Sequence, residues 1–444
     1  MFALKVLYIV ISIAFVVSDS EFGFCEAPDE CIVDSKRCLA ENRFTKKRYI
    51  LYDINPAEGF NLRRDVYIRI AVFLRKLIER DKEFQWQLVL PPWGNLYHWR
   101  SKNIGSQEHL PWGIFFDIMS LQRYIPVIEM YEFMKEYSCG NREVQLDRLY
   151  ILQNDEEMFK TGKFEDKNEV IDCDHNFLRY ELKQHTYTGP FWGYSNVTAQ
   201  DVKCLKFHGM ARDLSQNLMP MRYRSIMFDR MEIALHDEYG SKEYWRARRS
   251  MRYNTKLYNI AEDYRKTFLN STNKNDNTER PADWTKEKVY FQNRRNARGG
   301  PYLAVHLRRR DFIMAHKASV PTIMNTALQL RKRMAKLGLT VLFVATDAEQ
   351  YEFEEFKSYL SEYKVMKYVP SDYVINKFKD GGVAIIDQII CSYARYFIGT
   401  HESTFTFRIQ EDREIIGFSS GTTFNKLCKT NEDCAIDGFW SIVW

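Results

Sequence analysis

The sequence predicts an α/β protein built from two Rossmann-like halves. Apolar, β-favouring runs alternate with segments of helical periodicity from residue 49 onward, and the same alternation restarts near residue 302 after a polar, Asn-rich stretch. The length of 444 residues exceeds the usual limit of a single hydrophobic core and agrees with two domains. Alternating strands and helices form parallel sheets, which bind ligands at the carboxyl ends of their strands.

The first half opens with a strand, a loop and a helix. Residues 49–54 predict the strand, Pro56 marks the turn, and apolar positions take helical spacing from Leu62 to about Arg80. Further predicted elements are strands at 86–90 and 149–153, an irregular section to about 203, and helices at 224–239 and 242–269. The polar segment 271–286 contains Pro281 and predicts the boundary between a domain at 46–270 and a domain at 287–444.

The second half repeats the alternation more regularly. Its predicted strands are 302–307, 340–345, 365–369 and 396–398, and its predicted helices are 321–337, 349–363, 383–396 and a loop-helix at 400–411. No shorter repeat recurs at a fixed period, which excludes a solenoid.

Composition indicates a folded protein and excludes one large function class. Hydrophobic residues make up 45% and charged residues 28% of the chain, enough apolar surface for large cores. The net charge is only +5, and no Lys/Arg tract is interleaved with aromatic residues. A nucleic-acid partner is therefore not expected.

The N-terminus predicts entry into the secretory pathway. Residues 1–20 have the pattern of a signal peptide: Lys5, an apolar run at 6–17, and a small polar exit. A membrane anchor is the competing interpretation, but the apolar run is shorter than the roughly 20 residues that a spanning helix needs. We therefore expect no stable membrane span. A cysteine-containing extension follows at 21–45, and the C-terminus carries no ER-retention tetrapeptide.

Cysteine usage agrees with an oxidising compartment. The chain has nine cysteines, so at least one thiol is left unpaired, and Cys391 in an apolar helical run is the expected free one. Two sequons, at Asn196 and Asn270, are candidate N-glycosylation sites.

The loop between the first strand and helix is the first candidate site. Gly59 permits close backbone approach, Asn61 can cap the helix, and Glu58 is the only carboxylate of the AEGFN sequence. A helix start favours anions, so this corner can hold a phosphate or the Glu58 carboxylate. The local sequence alone fits a solvated turn residue at least as well.

The second half places polar residues at strand ends. Arg308 follows the strand that ends near His306 and is placed for bidentate pairing with a phosphate. Ser403 and Thr404 precede a helix, where hydroxyls and amides can hold a phosphate. Asp387 lies in an apolar run, which predicts a ligand contact or a buried pair with arginine; an ordinary helix-surface carboxylate is the alternative.

Other sites of chemistry are weaker. The sequence has neither a GxGxxG nor a GxxxxGK[ST] phosphate loop, and no His/Cys/Asp cluster with metal-ligand spacing. The D-x-D shape of Asp172-Cys173-Asp174 is discounted because the cysteine is expected in a disulfide. The aromatic run Tyr97-His98-Trp99 fits packing better than ligand stacking.

Several long motifs carry a family resemblance from about residue 48 to the end. They are YDINPAEGFNLRRDVYIRIA, LPPWGNLYHW, GPYLAVHLRRRDF, LFVATDA, DGGVAIIDQIIC and FIGTHESTFTFRIQEDREI. Together they resemble the protein O-fucosyltransferases, in particular the enzymes that fucosylate thrombospondin type 1 repeats.

The resemblance implies a GT-B glycosyltransferase, with two Rossmann-like domains facing a cleft, that uses GDP-fucose as donor. It implies inversion at the fucose anomeric carbon, no metal or other cofactor, a folded thrombospondin type 1 repeat as acceptor, a monomer, and the endoplasmic reticulum lumen as location. The acceptor would lie on the N-terminal side of the cleft and GDP-fucose on the C-terminal side. An enzyme acting on EGF-like repeats and a non-catalytic lumenal chaperone or lectin-like binder are the alternatives.

The resemblance also implies roles for individual residues. Glu58 would be the general base and Arg308 would act on the diphosphate. Donor-binding positions would be Ala57, Gly59, Phe60, Asn61, His306, Leu307, Asp387 as the guanine reader, Ser403, Thr404 and Phe405. Asp412, where the family has glutamate, would have a supporting role, and the implied disulfides are Cys173–Cys204 and Cys428–Cys434.

Overall fold

The computed structural model describes residues 45–94, 96–139, 143–174, 179–219, 222–237, 239–288, 295–317, 319–430, 434 and 440–444. The predicted signal peptide and nearly all of the cysteine-containing extension lie outside the described residues. Within the part that is described, no helix combines the length and the apolar character needed to span a membrane.

Strands and helices alternate along both halves. The first half contains β1 (Lys47–Tyr52), α1 (Phe60–Arg80), β2 (Gln85–Leu90), α2 (Ile118–Gln122), β3 (Val127–Glu129), α3 (Met130–Tyr137), β4 (Val144–Gln153), α4 (Glu156–Thr161), β5 (Lys167–Ile171), β6 (Glu181–Lys183), β7 (Thr186–Thr188), β8 (Val197–His208), β9 (Ser225–Asp229), α5 (Lys242–Ser250), α6 (Thr255–Phe268) and α7 (Asn273–Asp276). The second contains β10 (Gly300–Leu307), α8 (Arg310–Ala315), α9 (Ile323–Leu337), β11 (Val341–Thr346), α10 (Gln350–Ser358), β12 (Lys364–Met366), α11 (Asp372–Ser392), β13 (Ala394–Gly399), α12 (Thr404–Ile416) and α13 (Ser420–Thr423).

Each half is organised on its own sheet. The strand order of the first sheet is β3-β2-β1-β9-β4-β8-β7-β6, with β5 paired to β8, and its pairs from β3 through β8 are parallel. The second sheet has the order β12-β11-β10-β13 and is parallel throughout the described strands. Two parallel sheets, one in each half, match the predicted pair of Rossmann-like halves.

Strand residues alternate between two cores because successive side chains point to opposite faces of a sheet. In β10, Tyr302 and Ala304 face a core that also contains residues of the first half, whereas Leu303 and Val305 face a separate core against α9. The shared core continues across the junction between the halves. The two sheets are therefore joined by packed side chains as well as by the chain.

One predicted helix is wrong. Residues 224–239 contain β9, which is buried along its whole length and pairs with β1 and β4 in the centre of the first sheet. A short apolar run cannot be assigned to strand or helix from periodicity, and here pairing with two neighbours decides. The long helix predicted at 242–269 is two helices, α5 and α6, separated at Tyr253, which forms an isolated β-bridge with Phe116.

The segment predicted as the boundary between domains is packed in part. Asn270 is exposed, whereas the Ser271 hydroxyl is buried and accepts hydrogen bonds from Arg265. Within the same segment Asp276 forms an ion pair with Arg265. These polar contacts hold the segment against α6.

Both disulfides implied by the family motifs are present. Cys173 is bonded to Cys204 and Cys428 to Cys434, and Cys391 is buried and free. The first bond ties the end of β5 to β8, and the second lies after the last helix. Of the two predicted sequons, Asn270 is exposed and Asn196 is half-buried.

Candidate active site

A cavity of about 630 Å³ lies between the halves, at the carboxyl ends of β1, β10 and β13. Its walls come from the loop before α1, the loop after β2, the segments after β10, β11 and β13, and one face of α11. Sequence-predicted residues that line it are Glu58, Gly59, Phe60, Asn61, His306, Arg308, Asp387, Ser403, Thr404 and Phe405. The cavity therefore gathers residues more than 300 positions apart in the sequence.

Glu58 stands on a loop held by backbone contacts. Its N–H donates to the Asn55 carbonyl at 2.9 Å, and the Asn55 N–H donates to the Glu232 carboxylate at 3.1 Å. Arg63 Nε donates to the Glu58 carbonyl at 3.0 Å. Among the described residues no hydrogen bond to the Glu58 carboxylate is found, which leaves that group available to a ligand.

The environment of Glu58 favours its protonated form. Partial burial raises its pKa above the usual value, and the negative charge of Glu232 adds to the shift. The positive charges of Arg63 and Arg69 oppose it. A raised pKa makes a carboxylate a stronger base, as the removal of a hydroxyl proton requires.

Helix α1 begins without the predicted asparagine cap. The N-cap is Gly59, with extended backbone and no side-chain cap, and the Asn61 side chain points to α11. A Cβ on Gly59 would lie 3.2 Å from the ring of His98, so glycine allows the imidazole to approach the loop. Phe60 anchors the helix start between Trp93 and Phe115, with ring centroids 4.7 and 5.5 Å away.

Arg308 lies at the end of β10 and is held by acidic neighbours. Its guanidinium donates to Asp347 and to Asp311, each at 2.6 Å, and to His98 Nδ1 at 3.2 Å. Burial and the charge of Arg308 lower the pKa of His98 to about 4. His98 is therefore neutral at physiological pH and can accept the hydrogen bond from Arg308.

His306 is a neutral residue whose hydrogen bonds favour one tautomer. Burial lowers its pKa to about 3, with a contribution from the charge of Arg308. The Thr406 hydroxyl donates to the Thr400 carbonyl at 3.0 Å, so it accepts from His306 Nδ1 at 2.8 Å. Nδ1 therefore carries the proton and Nε2 is an acceptor, while Phe405 stacks on the ring at 4.2 Å.

Asp387 is the most strongly perturbed carboxyl group of the cavity. Desolvation raises its pKa to about 8, opposed by the charge of Lys367. Its Oδ1 is buried and finds no hydrogen-bond partner among the described residues. A buried acceptor without a protein partner is costly, so this atom is placed for a ligand that donates to it.

The start of α12 adds backbone donors to the cavity. Ser403 is its N-cap residue, in extended conformation and without a side-chain cap, and Thr404 is its first helical residue. Both line the cavity. The first-turn N–H groups of a helix have no internal partners and favour an anion.

Three predicted residues lie away from the cavity. Ala57 is exposed beside Glu58, and the Leu307 side chain is buried in the core against α9. Asp412 is buried behind the site, where it accepts from Arg248 at 2.8 Å and from the Tyr253 hydroxyl at 3.0 Å. Asp412 belongs to an ionic cluster between the halves and makes no contact with the cavity lining at Asp387 or Arg308.

The sequence interpretation preferred packing to ligand stacking for the aromatic residues of the loop after β2. Of these, His98 and Trp99 line the cavity, together with Arg100 and Ser101. Asp380 of α11 accepts from the Ser101 N–H at 3.0 Å and fixes this loop to the second half. Position after a strand end was the available signal; the contact across the halves is visible only in three dimensions.

The described residues contain no group of three or more His, Cys, Asp or Glu side chains arranged to hold a metal ion. The cationic groups of the cavity are instead the arginines Arg100, Arg308 and Arg310.

Sequence comparison decides the family. The family model for GDP-fucose protein O-fucosyltransferases matches residues 49–416. The chain belongs to this family. This fucosyltransferase is 45% identical over 402 residues to the GDP-fucose protein O-fucosyltransferase 2 of Pan troglodytes, covering 90% of the chain and 91% of that relative. It is 42% identical over 434 residues to the enzyme of the same name from Caenorhabditis elegans, covering 96% of each.

Solved structures agree on the fold. The crystal structure of POFUT1 in complex with GDP covers 86% of this fucosyltransferase and 98% of that chain, with a TM-score of 0.53 and 15% identity. The complex of POFUT1 with GDP-fucose gives a TM-score of 0.52 at 16% identity, with 86% and 98% covered. The predicted GT-B fold is confirmed, and the chain is a fucosyltransferase enzyme.

Proposed function

We propose that this enzyme transfers fucose from GDP-fucose to a Ser or Thr hydroxyl of a folded thrombospondin type 1 repeat, with inversion and without a metal. One observation carries the proposal: Glu58 from the first half and Arg308 with Asp387 from the second half line a single cavity. Relatives that cover nine-tenths of the chain are named GDP-fucose protein O-fucosyltransferase 2, which supports the donor and the protein acceptor.

Asp387 selects guanine in this proposal. Guanine presents N1–H and N2–H on one edge, and a carboxylate accepts both, whereas adenine offers no such pair. The unpartnered, buried Oδ1 of Asp387 supports this role because a bound base would supply the missing donor.

The diphosphate lies between Arg308 and the start of α12. As the fucosyl–oxygen bond breaks, negative charge develops on the β-phosphate, and fixed cations and N–H groups stabilise it in place of a metal. The Arg308 guanidinium already donates to Asp311 and Asp347. These carboxylates orient the guanidinium group before GDP-fucose binds, and its remaining N–H groups donate to the phosphate.

Glu58 takes the acceptor proton. A single inverting displacement needs one base on the face opposite the leaving group, and the acceptor hydroxyl must lose its proton as it attacks. The carboxylate of Glu58 is half-buried, has a raised pKa and lies across the cavity from the donor-binding half. The proton therefore goes from the hydroxyl oxygen to Glu58, and GDP leaves from the opposite face.

The acceptor reaches the cavity through the cleft as a folded module. A folded, disulfide-bonded acceptor agrees with a location in the endoplasmic reticulum lumen, and the disulfides of the enzyme agree with an oxidising compartment. We propose that the enzyme acts as a monomer.

The decisive assay offers the purified enzyme GDP-fucose with a folded thrombospondin type 1 repeat, the same repeat reduced and unfolded, and a folded EGF-like repeat, each with and without EDTA. We expect transfer to the folded thrombospondin repeat in both buffers. Transfer only to the EGF-like repeat would assign the other acceptor class. Donor binding without transfer would instead indicate a non-catalytic binder.

The base assignment is tested with Glu58→Ala. We expect kcat to fall on the order of 10²-fold or more, with GDP-fucose affinity preserved. Glu232→Gln is the matched control: it removes the neighbouring charge, can still accept from the Asn55 N–H, and should retain most of the activity. Full activity of Glu58→Ala would refute the assignment of Glu58 as the base.

A further inference from the structure

Gln388 connects the guanine-binding helix to the loop that carries the proposed base. It follows Asp387 on α11, is fully buried, and points toward the first half. Its Nε2 donates to Asn61 Oδ1 at 2.8 Å, across the junction. Asn61 lies three positions after Glu58, so this amide pair joins the two sides of the cavity.

Arg64 fixes the direction of both amides. Arg64 Nη1 donates to Gln388 Oε1 at 2.7 Å and to Asn61 Oδ1 at 3.1 Å. A guanidinium has donors only, so each amide must turn its oxygen toward Arg64. Gln388 then faces Asn61 with its NH2 group, as the 2.8 Å contact requires.

Two further contacts hold the arrangement from behind. Arg64 Nη2 donates to the Tyr253 hydroxyl at 2.8 Å. That hydroxyl has one proton, within reach of Gln388 Oε1 at 3.1 Å and Asp412 Oδ2 at 3.0 Å. Whichever oxygen the Tyr253 proton meets, Gln388 Oε1 still accepts from Arg64. The orientation of the Gln388 and Asn61 amides therefore does not depend on the Tyr253 hydrogen bond.

The consequence lies at the cavity surface. Asn61 Oδ1 accepts from both Arg64 and Gln388. The Asn61 Nδ2 group remains as a donor, and no acceptor for it is found among the described residues. Asn61 lines the cavity. We propose that Arg64 and Gln388 are positioning residues that make Asn61 present N–H donors, and not its carbonyl oxygen, to an oxygen of the bound sugar nucleotide.

This inference rests on the proposed donor. The phosphate, glycosidic and ring oxygens of GDP-fucose can only accept hydrogen bonds, so a reversed Asn61 amide would place two acceptors against each other. If Gln388 had only a structural role, donor affinity would not depend on its N–H group. Only its contacts with Arg64 and Tyr253 would then matter.

Two variants separate the roles. Gln388→Glu keeps the acceptors for Arg64 and Tyr253 but has no N–H for Asn61. The Asn61 amide should then turn its Nδ2 to the new carboxylate and give up its longer, 3.1 Å contact with Arg64. Gln388→Met loses the polar contacts, while Arg64 still holds Asn61 Oδ1. We expect Gln388→Glu to weaken GDP-fucose binding on the order of 10-fold at a nearly unchanged Tm. Gln388→Met should lower Tm and change the Kd by less than about 3-fold.

The measurements are titration calorimetry of the full chain with GDP-fucose and differential scanning fluorimetry. Thr326→Val, at a buried residue of α9 that is not part of the cavity lining, controls for the loss of a buried hydrogen bond. Wild-type affinity in Gln388→Glu, or a larger loss in Gln388→Met, would overturn the proposal. If Gln388→Glu does not fold, Asn61→Asp replaces it, since its outer oxygen can only accept, and the same 10-fold loss is expected.

The readout is independent of the acceptor. Should the wild-type chain bind GDP-fucose and the variants rank as expected, failure of transfer to thrombospondin repeats would overturn the acceptor assignment alone. A wild-type chain that does not bind GDP-fucose would overturn both.

Discussion

The raised pKa of Asp387 makes donor binding depend on pH in a direction that can be worked out. Desolvation raises this pKa to about 8, so the carboxyl group is mostly protonated at neutral pH before a ligand binds. A guanine edge with two donors binds the ionised form. Binding therefore removes a proton from Asp387, and GDP-fucose affinity should rise with pH until the group is ionised without ligand.

The magnitude follows from the ionised fraction. With a pKa of about 8, about 1% of Asp387 is ionised at pH 6 and about half at pH 8, so the Kd for GDP-fucose should be about 50-fold larger at pH 6. Two of the three histidines that line the cavity do not contribute to this pH dependence. The pKa values of His98 and His306, about 4 and about 3, keep both neutral throughout this range.

Titration calorimetry at pH 6, 7 and 8 in two buffers of different ionisation enthalpy measures both affinity and proton release. We expect release of about 0.9 proton per GDP-fucose bound at pH 7. GDP-fucose is the suitable probe because its diphosphate has no terminal group that titrates near neutrality. Asp387→Asn should bind weakly at every pH, with no proton release. An affinity that stays constant between pH 6 and 8 in the wild type would refute the reasoning.

Two stability predictions concern the junction between the halves. Arg248→Met leaves the buried carboxylates of Glu411 and Asp412 without one of their cationic partners and should cost about 3–5 kcal/mol of unfolding free energy, measured in urea; a change within 1 kcal/mol would show that Arg408 and Tyr253 suffice. Gly381→Ala would place a Cβ 2.8 Å from both the Phe115 and Trp99 rings, and the resulting overpacking should cost about 1–3 kcal/mol, seen as a lower Tm by fluorimetry. Gly421→Ala, with no atom within 4 Å of the added methyl group, is the control and should leave Tm unchanged.

Most predicted elements of the second half overlap with those of the structure because each is a local property, although α11 begins at Asp372 and not at residue 383. The run YLAVHL is a buried parallel strand, and residues 323–337 show a helical period with Thr322 as cap and Gly338 in the left-handed conformation after the last turn. The first half was harder. Its central strand β9 is buried on both faces, and its apolar run carries no period that separates strand from helix.

Motifs and strand ends identified the candidate donor-binding residues. They did not reveal which groups surround those residues. Sequence placed Asp387 in an apolar run, with a ligand, an arginine or solvent as open partners. The structure removes the arginine pair, since Oδ1 has no partner among the described residues. His98 was assigned to packing because nothing local shows that Arg308, 210 positions away, lies against its ring.

The sequence by itself determined the alternation of strands and helices, the family, and the residues at the strand ends, because periodicity, capping and motifs are carried by neighbouring positions. Only the tertiary structure decided which loop faces which, the raised pKa of Asp387, and the direction of the Asn61 amide. These properties depend on burial and on contacts between segments more than 300 positions apart, as between Asn61 and Gln388. Such contacts exist only once both sheets have packed on their shared core.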